Sequence, residues 1–188
     1  MELSYRELVT ALHGIIFGGF FLMALGGAFL LLLQSDSGLS AAQAAARPPR
    51  WLAGYLILLV ILGWAAVLSG AYIIYPWYRA AAPAGAGLAL YPKFLLTAHP
   101  DTAGWHSLGM EWKEHVAWIA PMAATMVAWA VIRHRAAWNA SAQVRRAILG
   151  FAAAALLAAA IAGGWGAMIN KKAPVLGGES YRLMGSTR

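Results

Sequence analysis

The sequence predicts an all-α integral membrane protein: a bundle of four transmembrane helices with a long extracytoplasmic loop between the second and third. Three observations predict it. Four apolar stretches each approach the roughly 20 residues that a helix needs to cross a hydrocarbon core of about 30 Å. Charge is scarce, at 11% of 188 residues against 61% hydrophobic, where a soluble domain carries roughly 25% charge. Period-two alternation is missing from the apolar stretches. That argues against a β-barrel, the other way to satisfy a backbone in lipid.

The first span covers about 8–33, and only Thr10 and His13 interrupt it. The second covers about 51–74. The connection 76–112 follows the run Tyr75-Pro76-Trp77-Tyr78-Arg79, an aromatic and basic anchor for the headgroup level. Within it, Leu88 to Ala98 is apolar but too short to span, so it lies in the interface or caps the bundle. Asp101 or Thr102 is placed to cap a helix that runs through Trp105, His106 and Trp112 into the third span. That span covers about 115–132, with Pro121 in its first turns. The fourth, rich in alanine, covers about 147–169. The length suits one domain, 1–188, and no internal repeat is visible.

An even number of crossings puts both termini on one side. The other side then holds the loops 34–50 and 133–146. These carry Arg47, Arg50, Arg133, Arg135, Arg145 and Arg146 against one acid, Asp36. The remaining acids, Glu2, Glu7, Asp101, Glu111, Glu114 and Glu179, share the side of the termini with more diluted basic residues. Lys and Arg in short loops mark the cytoplasmic face. Both termini and the long loop are therefore expected on the periplasmic face of a bacterial inner membrane.

The chain has no cysteine, which excludes disulfides, thiolate metal sites, iron–sulfur clusters and thioether haem attachment. Its net charge of +7 comes from residues at the ends of apolar runs, where topology and lipid headgroups explain it. No nucleic-acid partner is expected. The N-terminus lacks the positive region of a signal peptide, since Arg6 is flanked by Glu2 and Glu7. Phosphate-loop, dinucleotide-fold and serine-nucleophile motifs are missing.

Histidine is the informative residue type. His13 lies about one and a half turns inside the first span, where an ionisable side chain is costly and marks function by default. Gly14 and Gly18 beside it either let a helix approach closely or leave a flat space for a porphyrin. The plainer reading of His13 is a hydrogen bond to a neighbouring helix. His115 opens the third span from the same side, at similar depth. Two imidazoles on facing helices at one level are what axial ligation of one haem b requires. Interfacial hydration is the plainer reading of His115. Glu111 lies four residues before it and on the same helical face, placed to orient its ring. His106 and His99 are weaker metal candidates. His106 and His115 fall on opposite faces of a straight helix.

The Leu12-His13-Gly14 opening, His115 at the third span and the long aromatic loop on the same side resemble small four-helix membrane cytochromes of the b type. The resemblance covers about 20–170 in outline. It implies an electron-transfer subunit with haem b held between His13 and His115 near the periplasmic face. Such a subunit links a quinol pool to a periplasmic cytochrome or to other membrane redox subunits. A quinone site would adjoin the haem, with Glu111 or Glu114 taking protons. Two alternatives stand beside it: a cofactor-free accessory subunit of a larger respiratory or photosynthetic complex, and a small metal-handling membrane protein using the histidines.

Overall fold

The computed structural model describes residues 2–36, 50–134 and 141–182. The chain folds into helices α1 (Tyr5–Gln34) and α2 (Trp51–Tyr78), the short α3 (Pro92–Thr97), then α4 (Pro100–Arg133) and α5 (Ala142–Lys172). All but α3 are long and apolar enough to cross a membrane. Strand β1 (Glu2–Ser4) pairs antiparallel with β2 (Ser180–Arg182), Glu2 opposite Arg182. The two tails therefore meet at one end of the bundle, called the outer end below. Arg47 and Arg135 lie outside the described residues.

Local chemistry sets the helix starts. Ser4 caps α1 in a reciprocal box: Glu7 N donates to Ser4 Oγ at 3.3 Å, and Ser4 N donates to Glu7 Oε2 at 2.8 Å. Ser141 caps α5, accepting from Val144 N at 3.4 Å. α4 starts at Pro100 with His99 as its cap residue, well before the expected His115. The proline ring presets φ for a first helical turn. Thr102 does not act as the cap, because its hydroxyl donates to Leu96 O at 2.6 Å. Pro121 lacks an N–H for the Ala117 carbonyl. That carbonyl accepts from Ala120 N at 3.2 Å instead, in a tightened turn.

The four long helices form a ring in which each touches two neighbours, in the order α1, α2, α4, α5. α1 presents Phe21, Leu25, Ala28 and Leu32 to the core, at the four-and-three spacing of one helical face. Against them α5 sets Ile148, Ala152, Ala155 and Ala158, and α4 sets Ala120, Ala123, Ala124 and Val127. Large residues on one pair of helices thus fill the low surface of alanines on the other. A second cluster caps the outer end: Tyr78 of α2, Leu96 of α3, Met110 of α4, and Ile169, Ala173 and Val175 at the end of α5. The apolar segment around α3 is therefore a cap on the bundle.

Gly63 shows how tightly α1 and α2 meet: a Cβ there would stand 2.7 Å from Phe21 Cε2. Gly63→Ala should lower stability by about 1–3 kcal/mol, the usual cost of overpacking, read as a lower thermal midpoint in detergent. Phe21→Leu in the same chain should recover part of the loss. An unchanged midpoint in the single variant would show that the ring slides aside freely.

Candidate functional site

Polar residues within the bundle gather at its outer end. His13 turns toward α2, where its Nδ1 lies 3.0 Å from Ser69 Oγ. The Ser69 hydroxyl donates to Ala66 O at 3.2 Å, so its oxygen is left to accept from His13 Nδ1–H. With the hydroxyl donating to Ala66, Nδ1 carries the proton and Nε2 keeps its lone pair; a hydroxyl turned to Nδ1 reverses the two. Among the described residues nothing hydrogen-bonds Nε2. The ring edge rests on Gly70, where a Cβ would stand 2.8 Å from Cε1. Only glycine leaves room for the imidazole between the two helices.

The side chain that joins His13 at this level is Lys113 of α4. Its ammonium lies over Gly166 of α5, where a Cβ would stand 2.9 Å from Nζ, and it acts electrostatically on His13. The residue is half-buried, and the desolvation falls on its charged end. Among the described residues it has no hydrogen bond and no ion pair. A cation withdrawn from water without a partner is costly, so its retention needs a reason. Sequence reasoning gave Lys113 no role, although the helix it expected from Asp101 or Thr102 through Trp112 into the third span already carries this residue. The signal was present in the helical period. Gly109, Lys113, Ala120, Ala124 and Val131 fall on one stripe of small and apolar residues, the kind that faces other helices in a membrane.

His115 lies on the opposite stripe, with Glu111, Met122, Met126 and Trp129, and every one of these is exposed. Its side chain is 69% exposed and turns back on its own helix. Nδ1 stands 3.3 Å from Glu111 Oε2 and 3.2 Å from Glu111 O. This corrects the expected pairing. Two residues of helix rotate a side chain by roughly half a turn, so Lys113 faces inward and His115 faces out. The residues present do not fit a haem b held between His13 and His115. Gly14 has open space around it, and Gly18 meets only the carbonyl of His13 on its own helix.

Closer to the surface lies a second polar group. Tyr78, 3% exposed, shares a 2.8 Å hydrogen bond with His106 Nδ1. Arg79 donates to Tyr75 Oη at 3.1 Å, and Glu114 lies close enough to Tyr75 to act on it electrostatically. Glu114 also acts electrostatically on Tyr78 and His106. These groups connect the bundle interior with the outer surface. His99 is exposed at the start of α4, and Met110 is packed in the cap. Among the described residues no three His, Asp or Glu side chains converge as a metal site.

Four segments of π-helix interrupt the long helices: Leu12–Gly19, Gly70–Ile74, Trp105–Met110 and Trp112–Val116. They carry His13, Gly70, His106, Lys113, Glu114 and His115. Such widened turns are rare and concentrate at functional sites.

Lys113→Met should raise stability by about 1 kcal/mol, since it removes an unpaired half-buried charge and keeps the volume. The measurement is the thermal midpoint in lipid nanodiscs. A lower midpoint would mean that the ammonium has a stabilising partner in the isolated protein. No family model, curated protein or solved structure matches this chain, so the functional reading is argued from the site itself.

Proposed function

We propose that this protein is an electron-transfer subunit of a bacterial inner-membrane redox complex, and that it binds a quinone headgroup between His13 and Lys113. The observation that carries this reading is the pairing of an open imidazole lone pair with an unpartnered ammonium, inside a lipid-embedded bundle. A quinol presents two hydroxyl groups across a ring. One donates to His13 Nε2, which is an acceptor when the Ser69 hydroxyl donates to Ala66 O. The other oxygen accepts from Lys113. The ring itself is apolar and reaches the site from the bilayer without crossing water. Its polar ends then satisfy the two groups that the protein leaves open.

Oxidation of a quinol releases two electrons and two protons. A one-electron carrier in a partner subunit, a haem or an iron–sulfur centre, takes the electrons. His13 is placed to accept a proton at Nε2. Tyr78, His106 and Glu114 lie between this level and the outer surface, where protons leave. The outer end is the periplasmic side in this reading, with both termini there.

Binding is tested with the purified protein in quinone-free nanodiscs, using a tail-less benzoquinone as probe and tryptophan fluorescence as readout. His13→Ala and Lys113→Met should each weaken binding about tenfold or more, the value of one hydrogen bond to a charged or well-oriented group. Equal binding in all three proteins would overturn the assignment. Topology has a separate test, made simple by the lack of native cysteine. A single cysteine at exposed Thr97 should react with an impermeant maleimide in intact cells. One at Arg146 should react only after lysis, and the reverse pattern would invert the orientation.

A further inference from the structure

Ser69 stands between two partners. Its Oγ lies 3.2 Å from Ala66 O and 3.0 Å from His13 Nδ1. A carbonyl only accepts, but an imidazole nitrogen donates or accepts according to its tautomer. The hydroxyl therefore has two settings. Turned to Ala66, it leaves Oγ to accept from Nδ1–H, and Nε2 is an acceptor. Turned to Nδ1, it donates there, and the ring proton sits on Nε2, which is then a donor. Thr125 shows the contrast. It donates to Pro121 O at 2.7 Å and accepts from Trp64 Nε1 at 3.1 Å. An indole N–H only donates, so that hydroxyl has one setting.

The seat of the ring leaves either setting readable at the far nitrogen. Cε1 meets Gly70, and Nδ1 and Nε2 both stand 3.5 Å from the point where a Cβ would lie. One nitrogen faces Ser69 and the other is left open. Lys113 offers no such choice. An ammonium donates and never accepts, and it serves a quinone carbonyl oxygen and a quinol hydroxyl oxygen alike. The two oxidation states therefore differ at His13 alone: a carbonyl needs a donor there, and a hydroxyl donates to an acceptor. We propose that Ser69 is the positioning residue that lets His13 hold both oxidation states, its hydroxyl turned to Ala66 O with quinol bound and to Nδ1 with quinone bound. The proposal rests on the quinone reading above. Both settings carry one ring proton and one hydroxyl proton, so the site changes its hydrogen-bonding face without changing its charge. In Ser69→Ala nothing serves Nδ1. Quinol binding then orphans an Nδ1–H donor, which is costly. Quinone binding calls for the Nε2–H tautomer, which a histidine ring without partners already favours.

The experiment uses the full chain in quinone-free nanodiscs, with tetramethyl-benzoquinone and its quinol as probes, the quinol under argon. Nitrogen NMR on histidine-labelled protein reads the tautomer of His13, whose signals are assigned by their loss in His13→Ala. In the wild type Nδ1 should carry the proton with quinol bound, and Nε2 with quinone bound. Ser69→Ala should weaken quinol binding about tenfold, the value of the hydrogen bond lost at Nδ1, and quinone binding less than about threefold. Ser69→Thr keeps the hydroxyl and should restore the wild-type ratio of the two affinities. One tautomer with both probes, or equal weakening of both in Ser69→Ala, overturns the proposal and leaves Ser69 as an anchor for the ring. The tautomer is read on the wild type, so that arm stands even where a Ser69 variant fails to fold. Failure of both probes to bind the wild type overturns the quinone reading itself, and the role of Ser69 with it.

Discussion

Close approach of helices is the constraint on which the rest of this structure depends. Within a bilayer there is no water to drive apolar surfaces together, so helices associate by van der Waals contact and by whatever polar groups they share. Here contact is achieved by setting bulky faces against flat ones. Phe21, Leu25 and Leu32 of α1 reach the alanine surfaces of α4 and α5. Glycine extends the same device. Gly63 admits the Phe21 ring, Gly109 admits Trp165, Gly70 admits His13 and Gly166 admits Lys113. One steric rule therefore seats both the apolar core and the polar groups at the outer end.

The polar groups are not equally satisfied, and the difference separates structure from function. Trp64 Nε1 donates to Thr125 Oγ1 at 3.1 Å, and Trp112 Nε1 donates to Ala158 O at 3.3 Å. These bonds close polar atoms within the bundle and fasten helices together. His13 is half closed, with one nitrogen spent on Ser69 and one left open. Lys113 is wholly open among the described residues. Sequences that fold well tend to break local rules only where function demands it. A half-buried cation with no hydrogen bond or ion pair among the described residues, close enough to act on an imidazole with one nitrogen open, is a break of that kind. The apolar cap around Tyr78 and Leu96 covers this end of the bundle, and Tyr78 reaches out of it to His106 by a 2.8 Å hydrogen bond.

The four spans were legible in the sequence because length and apolar composition suffice to define them. His13 was legible for the same reason, since an ionisable residue inside an apolar run stands out. Its partner was not. The position of His115 near the start of a span gives its depth along the helix axis but says nothing of its angle about that axis. Depth alone made His13 and His115 look like a pair. The helix expected from Asp101 or Thr102 already held Lys113, and α4 begins close by at Pro100, but the angle of Lys113 was not compared with that of His115. Gly14 and Gly18 were read as room for a ligand because they adjoin His13 in sequence. Gly14 does have open space around it, and the glycine that seats the His13 ring is Gly70 on the facing helix, which no reading of α1 alone would find.

The angle could have been recovered from residue size. Stepping back from Ala124 by four and then by seven reaches Ala120 and Lys113, and Gly109 lies one turn beyond. Stepping back from Trp129 passes Met126, Met122 and His115 to Glu111. The first stripe is small or apolar and buried toward its inner end, and the second is large and exposed throughout. Bulky residues on α4 thus face lipid, while small ones meet other helices, the inverse of a water-soluble bundle. A charge on the small-residue stripe of a membrane helix is therefore the one that enters the interior, whatever the histidine content of the other stripe. By that argument Lys113 marks the site in α4. His115, with Glu111, marks a polar spot on the outward face of the bundle.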